Sequence, residues 1–378
     1  MFEVIDEPAA IEGLWRAFEE KAVCSPYQRF DWVQSFVQAL AADEGFGTRV
    51  LLLRETEGRP LVLLPLALRR QHGVRIASFV GGKQANFNLP ITAPGLSSVV
   101  TPPELRRLLE EVGREGLGAD GFIFLNQPLS WRGEPNPLAA FGGSPSVDEG
   151  YKFTLGPNPD ETLARGFSGE TRKKIRKKRR LLGELGEVRF WQARSAGEAE
   201  AITEAFLRQK QRRFQDLGIV NPFQGPMRTF IREGSFVGLD RGQPAIELYA
   251  LSVGERIVAT FGGTGDRWRL CGMFNSFDIS EDVARNSPGE LLLADIIRRQ
   301  CELGREVFDL GVGEARYKTA LCDQVEELID VFLPLTAKGR VHAMTVERFV
   351  ASKRLVKQTP WALRAANAMR AVKASLHG

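Results

Sequence analysis

Hydrophobic and polar residues alternate along two separate stretches of this chain, and each stretch predicts an antiparallel meander. Alternation with a period of two residues, broken by turns centred on glycine, is typical of such strands. The predicted strands are Arg49–Leu53, Leu61–Leu68 and Val74–Val80 in the first stretch, and Ala245–Val253, Arg256–Gly262 and Trp268–Phe274 in the second. The chain therefore consists of two halves with a similar pattern.

Helical sequence surrounds both meanders in the same order. Helices are predicted before them at Ile11–Lys21, Tyr27–Ala42 and Ala196–Leu217, and after them at Pro102–Gly116 and Pro288–Leu303, followed by short strands at Gly121–Leu125 and Val307–Leu310. This repetition predicts an α+β fold, in which mostly antiparallel sheets are flanked by helices and one unit occurs twice.

Domain boundaries follow from the residues between and after these halves. The stretch from Trp131 to Gly150 is rich in Pro, Gly and Ser, which is typical of a linker. Strand signals end near Val341, and the remaining sequence is helical with a break at Pro360. We therefore expect an N-terminal domain at residues 1–150, a second domain at 151–343 and a basic helical tail at 344–378.

The composition excludes several classes of protein. The chain has 378 residues, of which 43% are hydrophobic and 26% charged, which suits two globular domains. No apolar run approaches the roughly 20 residues that span a bilayer, and the acidic N-terminus lacks a signal-peptide pattern. The four cysteines and three histidines are scattered. We therefore expect no metal site, reduced thiols and a cytoplasmic location.

Basic residues are concentrated in two segments. The stretch from Arg172 to Arg180 contains eight Lys or Arg in nine residues and predicts a helix with Ile175, Leu182 and Leu185 facing inward. Like charges one helical turn apart repel each other unless an anion lies near them. The cluster therefore indicates contact with a nucleotide phosphate or an anionic lipid; the alternative is a solvated helix face.

The tail forms the second basic segment. One face of its predicted last helix carries Trp361, Ala365, Ala368, Met369, Val372 and Leu376, and Arg364, Arg370 and Lys373 lie off that face. This pattern is typical of a cationic amphipathic helix. Such a helix either binds an anionic membrane, which would make the protein peripheral on the inner face, or docks on the protein's own surface.

The most distinctive local motif begins at Ser287. Ser287 fits the N-cap, Pro288 the first helical position and Glu290 the third position of a capping box. The free N–H groups and the dipole of a helix N-terminus bind phosphates. The motif therefore predicts either a phosphate site or an ordinary structural helix start.

Several segments together resemble the CelD-like group of the GNAT acyltransferase superfamily. They are FSGETRKKIRKKRRLLGELG at Phe167–Gly186, LDRGQPAIELYAL at Leu239–Leu251, SPGELLLADII from Ser287, FDLG at Phe308–Gly311 with Tyr317-Lys318, and, before these, SPYQRFDWVQSF at Ser25–Phe36 with LPLAL from Leu64. The resemblance extends over roughly residues 20–335. It implies two tandem GNAT-like domains, as in Fem-type aminoacyltransferases, with the N-terminal copy degenerate.

The resemblance also implies an activity. GNAT-type enzymes transfer an acyl group directly from a coenzyme A thioester to an amine or hydroxyl, and bacterial ceramide synthases, which acylate a sphingoid amine, are similar to this group. We lean to such a membrane-associated lipid amine. The alternatives are polysaccharide O-acetylation, Fem-type transfer from aminoacyl-tRNA, and a non-catalytic binding module. Nucleic acid is not an expected partner under the leading interpretation.

Candidate residues for the coenzyme follow from the same motifs. The GNAT pyrophosphate motif is R/Q-x-x-G-x-G/A, but here the glycine stands one residue late and Leu291 replaces the last small residue. The candidates are Arg285, Asn286, Ser287, Gly289 and Glu290 for the pyrophosphate, Arg176 and Lys177 for a further phosphate, and Asn275 with Ser276 beside the acyl group.

Candidate catalytic residues come from the chemistry of acyl transfer, which needs a base for the acceptor and a proton for the leaving thiolate. Glu247 stands in an otherwise apolar strand, where burial would raise a carboxyl pKa toward that of a useful base; the alternative is a salt bridge with Arg256 or Arg267. Asp309 could orient an amine or hold Lys318. Tyr317 and Lys318 follow a glycine-rich turn and are candidates for protonating the thiolate or contacting phosphates.

Overall fold

The computed structural model describes residues 2–359, which form two α+β units. Unit 1 contains residues 2–149 and 326–359, and unit 2 contains residues 150–325. The predicted fold class, with mostly antiparallel sheets flanked by helices, is confirmed. The predictions for residues 360–378, including the cationic helix from Trp361 to Leu376, lie outside the described residues.

The elements follow one another along the chain in this order. Residues up to 149 form β1 (Glu3–Ile5), α1 (Glu12–Glu19), α2 (Phe30–Leu40), β2 (Phe46–Arg54), β3 (Pro60–Gln71), β4 (Val74–Phe79), β5 (Ile91–Thr92), α3 (Pro102–Glu115), β6 (Gly121–Pro128), β7 (Ser130–Trp131), β8 (Glu134–Pro135) and β9 (Ser144–Pro145). The next residues form β10 (Gly150–Thr154), α4 (Pro159–Gly166), α5 (Gly169–Gly183), β11 (Val188–Gln192), α6 (Ala196–Asp216), α7 (Pro226–Phe236), β12 (Glu247–Val253), β13 (Arg256–Gly265), β14 (Arg269–Phe277), α8 (Glu281–Ala284), α9 (Pro288–Glu302), β15 (Val307–Val312), α10 (Arg316–Leu321) and β16 (Gln324–Glu326). The last elements are β17 (Leu328–Pro334) and α11 (Ala337–Gln358).

The sheet of unit 1 contains the first predicted meander. Its strand order is β1-β2-β3-β4-β6-β17-β9, with β5 on β3. The pairs β2–β3 and β3–β4 are antiparallel. β4 and β6 run parallel, because α3 connects them as a crossover. β17 then pairs antiparallel with β6.

The sheet of unit 2 repeats this arrangement around the second meander. Its order is β11-β12-β13-β14-β15-β10-β16. The pairs β12–β13 and β13–β14 are antiparallel, and β14 and β15 run parallel on either side of the crossover through α8 and α9. β10 pairs antiparallel with β15. The two sheets therefore share one topology, as the repeated sequence pattern predicts.

The second boundary differs from the one expected at residue 343. β17 follows unit 2 in the chain but pairs with β6 of unit 1, whereas β10 follows unit 1 and pairs with β15 of unit 2. α11 then packs on β17 with Ala343 and Val350 buried, so residues 344–358 are part of unit 1 rather than a separate tail. Hydrophobic periodicity is a local signal, so it could not reveal which sheet these strands join.

The packing of α9 sets the position of its first turn. Leu291, Ile296 and Ile297 on this helix are fully buried and belong to one core with Phe261 and Phe308. Burial of each large apolar side chain stabilises the fold by about 1.5–3 kcal/mol. The helix is thereby held on the sheet with its N-terminus near the end of β14, where a Cβ added at Gly289 would lie 3.8 Å from the Phe277 ring.

Within residues 2–359, no helix combines the length and the apolar character needed to cross a bilayer.

Candidate active site

A gap opens in the sheet of unit 2 where β14 and β15 separate. Their parallel pairing joins Arg269 to Val307, Leu270 to Phe308 and Cys271 to Asp309. Beyond this point β14 continues to Phe277 and β15 to Val312. The pairing between the two strands ends at Cys271 and Asp309, and the strand ends beyond it are edges at which an extended ligand can lie.

A cavity of about 510 Å³ lies in unit 2 against β13, β14, α9, α10 and the turn between α4 and α5. Its lining includes the apolar residues Phe167, Phe261, Phe277, Leu292, Leu293 and Leu321, the polar residues Ser168, Thr171, Thr260, Asn275, Ser276, Glu290 and Tyr317, and Gly289. Of the residues predicted for the site, Asn275, Ser276, Gly289, Glu290 and Tyr317 therefore lie together. Volume and lining are typical of small-molecule sites.

Tyr317 lines this cavity from α10. It stands in the first turn of α10 rather than in the loop that the preceding glycines suggested. Its side chain remains partly exposed, and the burial of the rest raises the pKa of the phenol, with a hydrogen bond to Asn275 as the opposing effect. A raised pKa keeps the phenol protonated at neutral pH, as a general acid requires.

The start of α9 is not the predicted capping box. Ser287 has φ +48° and ψ +58°, in the left-handed region, and its side chain makes no cap hydrogen bond. Instead the ammonium of Lys178 on α5 donates to Ser287 Oγ over 2.9 Å and to Glu290 Oε2 over 2.7 Å. The capping prediction was wrong because both side chains that it needs are bound to a lysine 109 residues away in sequence.

The other predicted phosphate-binding residues surround this turn with different exposures. Asn286 is buried and donates through Nδ2 to the carbonyl of Asp282 over 3.1 Å, so it holds the turn in place. Arg285 is exposed on the turn itself. Gly289 lines the cavity, and a Cβ at this position would have only ordinary contact with Phe277.

The basic helix α5 presents a different pair of cations to α9 than the sequence indicated. Arg176 and Lys177 are exposed. Lys178 and Arg179 reach α9, where Arg179 pairs with Asp295. Ile175 and Leu182 pack on the core as predicted, but Leu185 is 45% exposed because it lies beyond the end of the helix.

Glu247, the candidate base, is buried in a polar network outside the cavity. Its carboxylate receives two hydrogen bonds from Arg305, over 3.0 and 2.6 Å, and one from the Tyr249 hydroxyl over 2.5 Å. Gln300 bonds both Arg305 and Tyr249. This pairing, not one with Arg256 or Arg267, occupies both oxygens, and a carboxylate held by a buried guanidinium is a poor proton acceptor.

The network also lies at the C-terminal end of α9, whereas the cavity lies at the N-terminal end of this helix. Gln300 is in the last turn of the helix, while Gly289 is in the first. At about 1.5 Å per residue, the helix rises about 16 Å between them. The position of Glu247 therefore supports a structural role.

Asp309 and Lys318 are also buried beside the gap rather than exposed in it. Asp309 stands at the last paired position of β14 and β15. Its Oδ2 lies 3.1 Å from Nη2 of Arg269, and its Oδ1 accepts from the Gly311 N–H over 2.6 Å. The Lys318 ammonium donates to the carbonyls of Gly311 and Val312 over 3.2 and 2.9 Å. Both side chains thus hold the end of β15, from which α10 and Tyr317 follow.

Cys322, which follows the cavity residue Leu321, is not an activated nucleophile. Burial raises the pKa of the Cys322 thiol to about 12, and Asp309 adds to the effect. Since the thiolate is the reactive form, Cys322 is predominantly protonated at neutral pH.

The residue at this turn that the sequence pattern did not indicate is Lys178. A signal for it exists, because positions 178 and 179 fall on the same helix face as Ile175 and Leu182, three and four residues away. The remaining cavity residues, such as Ser168 and Thr171 at the start of α5, come from segments without a chemical motif.

Comparisons with known proteins agree with this geometry. Residues 169–319, which contain α5 to α10, match the family described as acetyltransferase (GNAT) domain. None of the curated protein sequences is significantly similar to the chain.

Solved structures show the fold over a longer stretch. FemX has 9% identity and a TM-score of 0.60, with 91% of this chain and 100% of FemX covered. A conserved protein of unknown function from Bacteroides thetaiotaomicron has 13% identity and a TM-score of 0.56, with 88% and 100% covered. The C-terminal domain of a protein described as a lysylphosphatidylglycerol synthetase from Agrobacterium fabrum has 12% identity and a TM-score of 0.54, with 90% and 95% covered. The chain therefore shares the fold of these structures over about nine-tenths of its length, and its residues 169–319 are similar to the acetyltransferase (GNAT) domain family.

Proposed function

We propose that the protein is an acyltransferase that uses an acyl-CoA thioester and acylates an amine or hydroxyl acceptor in unit 2. The observation that carries this proposal is the position of Tyr317, Gly289 and Asn275 around one cavity beside the gap between β14 and β15. The match of residues 169–319 to an acetyltransferase family supports the same reaction class.

The reaction is a direct transfer in which atoms and charges balance. The acceptor nitrogen or oxygen forms a bond to the thioester carbon, and the carbon–sulfur bond then breaks. The acceptor loses one proton and the leaving thiolate gains one, so the products are an amide or ester and free coenzyme A. Tyr317 supplies the proton to sulfur, and polar groups of the wall, including Asn275, stabilise the oxyanion.

The phosphate end of the donor lies at the first turn of α9 in this proposal. The N-terminus of α9 carries a partial positive charge, and Lys178 adds a full one. Lys178 also neutralises Glu290, which would otherwise repel a phosphate. The coenzyme candidates Arg285, Ser287, Gly289 and Glu290 keep their roles near this turn, whereas Glu247, Asp309 and Lys318 act as structural residues.

The apolar residues that line the cavity favour a donor with a hydrocarbon chain. Phe167, Phe261 and Phe277, together with the leucines of α9 and α10, offer an apolar surface to the acyl group. Burial of each additional CH₂ contributes about 0.8 kcal/mol. We therefore expect longer acyl-CoA thioesters to be better substrates than acetyl-CoA.

A lipid amine at a membrane is our preferred acceptor, and the exposed face of α11 supports it. Val341, Met344, Phe349 and Leu355 are between 45% and 67% exposed on this helix. Cations on the same helix are Lys338, Arg340, Arg348, Lys353, Arg354 and Lys357, of which Lys357 pairs with Asp148. Apolar side chains bordered by cations match an anionic bilayer surface, where each Lys or Arg contributes about 1 kcal/mol.

Release of free thiol from acyl-CoA tests the reaction. The full chain is assayed with thioesters of increasing chain length and with a sphingoid base, a hexose or no acceptor. We expect acceptor-dependent thiol release that increases with chain length. Absence of release with every acceptor, combined with transfer from aminoacyl-tRNA, would replace this proposal with Fem-type chemistry.

Sedimentation with vesicles tests the membrane contact separately. Deleting residues 344–378 is unsuitable, because it would remove the buried Val350 from unit 1. Instead Phe349→Ser with Leu355→Ser should reduce sedimentation with anionic vesicles, and Val99→Ser, at a 52% exposed position outside α11, should not. Unchanged sedimentation of the α11 variant would reject this contact.

A further inference from the structure

A second cavity, of about 550 Å³, lies in unit 2 between α6 and the start of β13. It is separate from the cavity that contains Tyr317. Ile257 and Ile279 contribute apolar surface, and Arg208, Arg212 and Glu255 contribute charge. None of these residues belongs to the acyl-donor site described above.

Two arginines in this cavity have no partner among residues 2–359. Arg208 and Arg212 are exposed and stand one turn apart on α6. Among residues 2–359, neither guanidinium has an ion pair or a hydrogen bond. Cations four residues apart on a helix repel each other by a few tenths of a kcal/mol. An anion between them would remove this repulsion, and guanidinium groups bind phosphate through paired N–H donors.

The other charges of the cavity are mostly neutralised. Arg256 pairs with Asp278 over 2.6 Å, and Glu204 pairs with Arg228 over 2.6 Å. Glu255, in the turn between β12 and β13, is the carboxylate of the lining that has no ion pair within residues 2–359. The cavity therefore offers two unpaired cations and one unpaired anion, which is complementary to a ligand that carries both a phosphate and an amine.

One short chain of hydrogen bonds joins the lining of this cavity to the lining of the cavity that contains Tyr317. Gln209 lines the second cavity, and its Oε1 accepts from the Ser276 hydroxyl over 2.6 Å. Ser276 and Thr260 line the donor cavity and bond each other over 2.6 Å. This chain of hydrogen bonds connects Gln209, which lies between Arg208 and Arg212 in the sequence, to the lining of the cavity that contains Tyr317, and the amine of a ligand held by the two arginines reaches the thioester only where the chain opens.

We propose that the second cavity is the acceptor site and that it binds an amine bearing a phosphate group, with the phosphate on Arg208 and Arg212. This inference rests on the proposed acyl transfer only for the fate of the amine: its nitrogen bonds to the thioester carbon, the carbon–sulfur bond breaks, and one proton passes from nitrogen to the thiolate. The binding itself requires no donor. The phosphoamine is either a small molecule or a phospholipid headgroup.

Calorimetry on the full chain without acyl-CoA tests the binding. The probes are O-phosphoethanolamine and ethanolamine, with lysophosphatidylethanolamine as the lipid form. We expect one or both phosphoamines to bind at least about tenfold more tightly than ethanolamine, as charge-assisted hydrogen bonds from two arginines predict. Tighter binding of the lysolipid than of O-phosphoethanolamine would identify a headgroup as the source.

Variants on α6 decide whether the arginines are responsible. Arg208→Gln with Arg212→Gln should abolish the preference for the phosphoamine, while Arg213→Gln, an exposed arginine outside the cavity lining, should keep it. Equal affinity for phosphoamine and ethanolamine, or equal loss in the Arg213 variant, would overturn the inference. If phosphoamine binding depends on both arginines but no thiol is released, the proposed reaction fails and the anion site stands.

Discussion

The ammonium of Lys178 lies 2.7 Å from Glu290 Oε2 and 2.9 Å from Ser287 Oγ. This contact joins the basic helix α5 to the first turn of α9, at the edge of the cavity that contains Tyr317. It replaces the capping box that the local sequence suggested, and it puts a cation where the free N–H groups of a helix already favour an anion.

Replacing Lys178 should weaken binding of the donor. In Lys178→Met the turn loses its cation, and Glu290 is left as an unpaired anion near the phosphates. We expect KM for acyl-CoA to rise about tenfold or more, as loss of one charge-assisted contact predicts, with kcat little changed. Initial rates over a range of acyl-CoA concentrations provide the measurement.

Two further variants distinguish the contact of Lys178 with α9 from an effect of the overall charge of α5. Lys177→Met removes the same charge from an exposed neighbour and should leave KM unchanged. Adding Glu290→Gln to Lys178→Met should recover part of the affinity, because the repulsive carboxylate is removed. An equal rise of KM in the Lys177 variant would show that the overall charge of α5 is what matters.

Tyr317→Phe should remove the proton donor without disturbing the cavity. We expect kcat to fall about 10²-fold or more, the typical contribution of a general acid, with KM for acyl-CoA nearly unchanged. Because the pKa of Tyr317 is raised by burial, the wild-type rate should show no decline from this group below pH 10.

Thr319→Ala, on the same helix but outside the cavity lining, should keep full activity. A Tyr317→Phe enzyme with the kcat of the wild type would remove this residue from the mechanism.

Much of the fold could be predicted because its signals are local. The strand from Arg256 and the helix from Pro288 begin where periodicity, turns and proline indicate. The grouping of Asn275, Gly289 and Tyr317 in one cavity also follows, since a strand, the crossover helix and the next strand are adjacent in such a topology.

The chemistry of single side chains was less predictable because it depends on distant partners. The apolar neighbours of Glu247 correctly indicated burial, and the carboxylate is 4% exposed. Its function, however, is decided by Arg305, 58 residues away. Ser287 likewise depends on Lys178, and β17 depends on β6. The local sequence pattern identifies a buried carboxylate or the start of a helix. Which residues bind that carboxylate or that helix start is decided by contacts between residues far apart in the sequence.

Glu247→Gln should therefore destabilise the protein rather than inactivate a stable one. Arg305 would keep its charge in a site where its side chain is 11% exposed, and removing one partner of a buried pair costs about 3–5 kcal/mol. Urea unfolding of both proteins measures the difference. Glu247→Met combined with Arg305→Met should recover part of the loss, since no buried charge remains. A Glu247→Gln protein of wild-type stability but without turnover would return Glu247 to the role of catalytic base.

Glu19 should make the stability of unit 1 depend on pH. Its side chain is 9% exposed, and burial raises the pKa of the carboxyl to about 7, against the opposing effects of Arg29 and the Phe30 N–H. The folded pKa lies above the unfolded value of about 4.5, so the folded form binds the proton more tightly. Its stabilising contribution is complete below pH 4.5, decreases as the pH rises and is lost near pH 7.

The size of this effect follows from about 1.4 kcal/mol per pKa unit, which gives a loss on the order of 3 kcal/mol across the window. Glu19→Gln cannot ionise, so the difference in unfolding free energy between wild type and variant should change by this amount between pH 4.5 and 7.5. Urea unfolding at four pH values gives the difference, in which other titrating groups cancel. Glu20→Gln, at an exposed neighbouring position, should show no such change, and a pH-independent difference for Glu19→Gln would mean that folding does not raise the pKa of this carboxyl.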